Sequence, residues 1–148
     1  MSSVPVKQYP FTDPEAQLIS GVLRTYADRI VHYANKQWFK GVDTEFVLAQ
    51  ILGGHVHAAL LPHYLVVFDL GNVWYNKTLL CVEEKLVLAV SPGGQLREVT
   101  DFLEYIARVN GANFVGVGTA LAHDDRALSR MYSRLGYQPS GVQLTKRI

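Results

Sequence analysis

Apolar positions along this chain follow two periods, and the places where the period changes mark its elements. Leu18, Ile19, Val22, Leu23, Tyr26, Ala27, Ile30, Val31 and Ala34 recur at helical spacing, a stripe wide enough to bury against a sheet. Asp13-Pro14-Glu15 opens that helix, with Asp13 as the cap, proline in the first turn and a carboxylate at the positive end of the dipole. Gly21 within it marks a close contact. Trp38 and Phe39 end the helix and Gly41 allows a turn. Asp43 or Thr44 then caps a shorter helix through Phe46, Val47, Ile51 and Leu52, closed by Gly53-Gly54. Before these helices, Val4 and Val6 alternate with Pro5 and Lys7, which predicts a short edge strand.

From His55 the pattern turns to strands. His55 to Leu61 and Tyr64 to Leu70, broken at Pro62-His63, predict a hairpin, and Leu79 to Val90 a longer strand. Ser91-Pro92-Gly93-Gly94 interrupts, and a helix follows from about Gln95 to Val109, with Asn110-Gly111 as its stop. Phe114, Val115 and Val117 make the next strand. Asp124-Asp125 caps a last helix that turns Leu128, Met131, Tyr132 and Leu135 inward. Val142, Leu144 and Ile148 alternate in a final strand. Strand, turn, helix, strand demands a right-handed crossover and a partly parallel sheet. Ligands in such sheets sit beyond the carboxyl ends of the strands, which directs attention to Val90 to Arg97, with Tyr132 nearby.

Composition narrows this picture. At 148 residues the chain is long enough for one domain, residues 1–148, with a sizeable core. Its 14 basic and 13 acidic residues leave a net charge of +1, no footprint for nucleic acid or an anionic membrane surface. Cys81 stands alone in an apolar run and reads as an inert buried thiol, consistent with a reducing compartment. Ser2 to Thr12 is polar and carries no secretory signal, and the apolar runs are too short to span a bilayer. The expected location is cytoplasmic.

The order strand, two helices, hairpin, long strand, helix, strand, helix, final hairpin resembles the GNAT family of acyl-CoA N-acyltransferases. The most specific local match is Asp125 to Tyr137, DRALSRMYSRLGY, which is similar to the family's tyrosine-bearing helix and following Leu-Gly-aromatic turn. The resemblance implies an α/β fold with a mixed sheet of about seven strands and about four helices. It also implies a cleft where the long strand parts from its parallel neighbour. Acetyl-CoA would pair there with backbone groups of Leu88 and Val90, and its pyrophosphate would meet N–H groups opening the next helix, at Gln95, Leu96 and Arg97. Tyr132 matches the tyrosine that protonates the leaving thiolate. Glu84 is the best candidate for the base, since family bases often lie on this strand. Period-two alternation puts Glu84 and Leu86 on one face, Glu83 and Lys85 on the other.

The chain departs from the family's Gln/Arg-x-x-Gly-x-Gly/Ala turn. Glu98 and Thr100 stand at the two glycine positions. Two like charges about 4 Å apart, at an effective dielectric of about 20, repel by about 4 kcal/mol, so Glu98 opposes a diphosphate. Alternatively, Gly93-Gly94 forms a shortened turn and Arg97 meets a phosphate. Two readings follow. In the first, the fold is a structural or interaction module with acetyl-CoA binding weak or lost. Compact, degenerate GNAT-like chains of this size resemble bacteriophage-encoded proteins, including virion components; this reading needs no cofactor and expects protein partners in an assembly. In the second, the chain is an active acetyl-CoA-dependent N-acetyltransferase, its oxyanion held by N–H groups near Leu88 to Val90. The first two helices and the closing hairpin would then set acceptor specificity.

Other constellations are weaker. His55-x-His57 shares a strand face at a spacing that binds metal, but no third ligand is near in sequence. Gly116-x-Gly118 lacks the third glycine of a dinucleotide turn. Ser129 and Ser133 have no nucleophile-elbow context. Trp38, Phe39, Trp74 and Tyr75 sit near predicted element ends, as core lids or anchors for a protein partner.

Overall fold

A computed structural model describes residues 6–33, 42–119, 124–141, 144, 146 and 148. The elements are β1 (Lys7–Gln8), α1 (Asp13–Ile30), α2 (Thr44–Leu52), β2 (His57–Leu60), β3 (Tyr64–Asn72), β4 (Leu80–Ala89), α3 (Leu96–Val109), β5 (Phe114–Gly116) and α4 (Asp125–Arg134). The strands form one sheet in the order β1-β2-β3-β4-β5, antiparallel up to β4 and parallel between β4 and β5. The mixed α/β architecture is as expected, with five strands among the described residues rather than about seven. The predicted closing strand through Val142, Leu144 and Ile148 lies largely outside them, as do Val4, Ala34, Trp38 and Phe39.

Local chemistry sets the element ends. Thr12, not Asp13, caps α1: its hydroxyl accepts from Glu15 N–H and the Glu15 carboxylate accepts from Thr12 N–H at 2.9 Å. That reciprocal pair satisfies two donors that a lone Asp13 cap would leave open. Asp43 caps α2 and Asp124 caps α4, each accepting from the N–H three residues on. Period-two alternation divides the core into two layers. Leu65 and Val67 pack with Ile19, Leu23, Leu48 and Ile51 of α1 and α2. Val66 and Phe68 pack with Val99, Phe102 and Leu103 of α3 and with Tyr132 of α4. Met131, expected inward, is exposed.

One irregularity bears on everything downstream. Val67 pairs with Leu86 but Phe68 pairs with Glu84, so β4 carries an extra residue, Lys85, in a β-bulge. The bulge reverses the parity of the strand. Val82 joins the α3 layer, whereas Leu86, Leu88 and Val90 join the α1–α2 layer and Val87 turns to α3. Glu84 and Leu86, expected on one face, are therefore separated.

Candidate active site

β4 and β5 stay together for only three residue pairs, from Cys81↔Phe114 to Glu83↔Gly116. Past Glu83 no described strand covers this edge of β4, and the sheet forks. Glu84 sits at the fork, its Oε2 accepting from Gly118 N–H at 3.1 Å. Burial raises its carboxyl from 4.5 to about 7, against the opposing pull of the Gly118 N–H and Lys85. Tyr132, only 4% exposed, reaches the same place from α4. Burial first and the Glu84 charge second push its phenol well above the ordinary value. Tyr26, from α1, is raised by burial, by Tyr33 and by Glu84. The two residues singled out for chemistry, more than forty positions apart in the chain, are thus electrostatic neighbours.

The free edge of β4 follows from its register. Val90 donates its N–H to the His63 carbonyl at 2.9 Å. Hydrogen-bonded pairs in an antiparallel ladder recur at every second residue, so Leu88, opposite Leu65, also turns its main-chain groups to β3. The N–H and C=O groups that face the open fork are those of Val87 and Ala89. These replace Leu88 and Val90, which were expected to offer them; the bulge at Lys85 set the parity.

Beyond Ala89 the chain turns into α3. Gly93 adopts φ +89°, a left-handed conformation that other residues rarely adopt, and Gln95 is the N-cap without a side-chain cap bond. The first N–H groups of a helix have no intrahelical acceptor, and the Gln95 side chain does not cap them here. Gln95 and Arg97 are exposed at this mouth, while the Leu96 side chain is buried in the core. Thr100 is buried, its hydroxyl donating to the Arg97 carbonyl at 3.3 Å. Glu98 is engaged with the β2–β3 turn: Oε2 accepts from His63 N–H at 2.9 Å and Oε1 meets His63 Nδ1 at 2.7 Å. The Ser91 hydroxyl donates to the Pro62 carbonyl at 3.1 Å. The Pro62-His63 turn, which read as a mere strand break, therefore ties the end of β4 to the first turn of α3. A carboxylate three residues into a helix was the signal in the sequence; its partner was not legible.

Between α1 and the open edge of β4 runs a groove of about 580 Å³, lined by Gly21, Tyr26, Arg29, Val87, Leu88 and Ala89 among others. Gly21, expected to mark a close contact, opens onto it: a Cβ there would meet nothing within 4 Å. Gly21→Ala should therefore stabilise the fold by about 1 kcal/mol, through helix propensity alone. Urea denaturation checks this, and a loss of stability would mean that the groove floor is tighter than its geometry says.

The remaining candidates do not assemble. No group of three or more potential metal ligands occurs among the described residues. His57 stacks on Phe68 with ring centroids 5.3 Å apart. Cys81 is half-buried, its thiol pushed up by burial and then by Glu83. Trp74 and Tyr75 are exposed and meet edge to face, while Trp38 and Phe39 lie outside the described residues. Among the described residues no helix is long and apolar enough to cross a membrane.

No protein-family model and no curated protein sequence matches the chain. Solved structures do. A ribosomal-protein-alanine N-acetyltransferase from Brucella melitensis biovar Abortus 2308 superposes with a TM-score of 0.67 at 12% identity, over 99% of this chain and 98% of that one. A predicted acetyltransferase with acetyl-CoA from Clostridium acetobutylicum gives 0.58 at 12% identity, over 97% and 96%. A GCN5-related N-acetyltransferase from Ralstonia eutropha JMP134 gives 0.58 at 13% identity, over 97% and 99%. These similarities lend no support to a bacteriophage origin or a virion role. Nearly end to end, and at identities too low to speak for chemistry, the chain has the fold of the GNAT acetyltransferases.

Proposed function

We propose that this protein binds an acyl-CoA along the open edge of β4 and catalyses transfer of the acyl group to an amine. The observation that carries the reading is the placement of Glu84: a half-buried carboxyl at the fork of the sheet, accepting from Gly118 N–H at 3.1 Å and near enough to Tyr132 for its charge to bear on the phenol. A module kept only for its shape has no use for such a group, because an ionised carboxylate is costly to bury.

The residues present suit the ligand. The Val87 and Ala89 main chain offers a strand edge for the amide-bearing arm. The uncapped first turn of α3 offers N–H groups to a diphosphate, as helix N-termini do for anions. Arg97, exposed at that mouth, adds a positive charge. Glu98, which threatened repulsion, has both oxygens committed to His63. When bound, an acyl-CoA supplies an acyl thioester, whose C–S bond breaks as the amine's C–N bond forms. Glu84 accepts the proton the amine sheds; at neutral pH enough of it is ionised to do so. Tyr132 stays protonated across the working range and gives its Oη proton to the departing thiolate. The two steps are coupled. Once Glu84 has been neutralised, its charge no longer holds the phenol proton, so Tyr132 becomes a better acid when one is needed.

Calorimetry with acetyl-CoA tests the reading: micromolar binding is expected, and no heat up to millimolar concentrations would return the chain to an interaction module. Tyr132→Phe should then lower turnover at least tenfold with little change in acetyl-CoA affinity, since it removes a proton donor and no binding surface. Unchanged turnover would sink the acid assignment.

A further inference from the structure

We propose that the groove between α1 and β4 selects an acceptor amine bearing a carboxylate, which the Arg29 guanidinium holds. This rests on the transferase reading and specifies its acceptor. Arg29 lines the groove, is exposed, and forms no salt bridge among the described residues. Among the described residues that line the groove there is no aspartate or glutamate, and Arg29 is the one formally charged side chain.

Position sets the spacing. Tyr26 and Arg29 are three residues apart on α1 and share a face. Val87 and Ala89, whose main chain faces the open fork, line the same groove as Tyr26 and Arg29, so the acyl-binding edge forms one wall of it. An amine that enters this groove toward that edge therefore passes the Arg29 side chain. A guanidinium presents a planar fork that pairs with both oxygens of a carboxylate. A second amine at the same place would meet a like charge instead. Arg29 also stands in the last turn of α1, where a cation complements the helix dipole. That role would serve stability and carries no preference among acceptors, which lets experiment separate the two.

Three amines of matched length suffice as probes: 4-aminobutyrate, butylamine and 1,4-diaminobutane, each with saturating acetyl-CoA. The expected order of kcat/KM is aminobutyrate, butylamine, diaminobutane, with about tenfold or more between the first two. Arg29→Gln should bring 4-aminobutyrate down to the level of butylamine through KM, Arg29→Lys should restore part of the difference, and Arg29→Glu should favour the diamine. Calorimetric binding of 4-aminobutyrate to the protein without acetyl-CoA should weaken about tenfold in Arg29→Gln, a readout independent of turnover. If acetyl-CoA binds and the three amines react alike, or if Arg29→Gln leaves their ranking intact, the acceptor assignment falls while the transferase reading stands. If acetyl-CoA does not bind at all, both fall.

Discussion

Glu84→Gln is expected to lower turnover by about 10²- to 10⁴-fold and, in the same protein, to raise stability above neutral pH. Folding raises this carboxyl from 4.5 to about 7, so between those values the native state keeps a proton that the unfolded chain has released. The stability contributed by neutral Glu84 is complete below the unfolded value and is lost as pH rises through about 7. Above that, the buried carboxylate weighs against the fold by up to about 3 kcal/mol. Glutamine cannot ionise, yet keeps an oxygen to accept from Gly118 N–H. Urea unfolding should show the variant ahead of the parent at pH 8 and level with it near pH 4. A constant difference at both would mean that the carboxyl is not desolvated. In the parent, kcat/KM should climb with pH to a plateau above about 7, and that limb should vanish in the variant. Full activity in Glu84→Gln would remove the base assignment and leave the stability argument untouched.

Gly94→Ala should cost about 1–3 kcal/mol of stability and weaken acetyl-CoA binding together. A methyl at this position would overlap the Cβ of His63 and approach Tyr64 Cε2 at 2.8 Å. Neither neighbour can yield freely. The His63 main chain accepts from Val90 and donates to Glu98, so moving it loosens the tie between β4 and α3 that aims the helix mouth. Gly93→Ala is the comparison: its Cβ meets nothing within 4 Å, and only the left-handed φ of +89° is strained, at about 1–2 kcal/mol. Gly93→Ala should leave the His63–Glu98 pair intact. Denaturation and acetyl-CoA titration of both variants check this, and equal losses in affinity would discount the tether.

Much of the architecture was legible because it is written at short range. Stripes at Leu18 to Ile30 and Leu96 to Ala107 betray their helices, since a helix face repeats within one turn. Asp43, Asp124 and Gly111 mark ends, because a cap is settled by residues three or four apart. Even the start of α1 was missed by only one residue. Tyr132 and Glu84 could be named from the order of elements and a local motif, and the fold brings them together.

The sequence by itself therefore determined the elements, their order, and the place where a strand must part from its parallel neighbour. Tertiary structure decided what that place offers. A single extra residue at Lys85 exchanged the outward main-chain groups from Leu88 and Val90 to Val87 and Ala89, and no periodicity announces a bulge. Glu98 was expected to face a diphosphate; the fold turns both of its oxygens to His63, 35 residues away. The poise of Glu84 and the exposure of Arg29 along the groove, with no salt bridge among the described residues, likewise depend on how much water the assembled fold excludes and which charges it brings together. Neither is a property of any short stretch of chain.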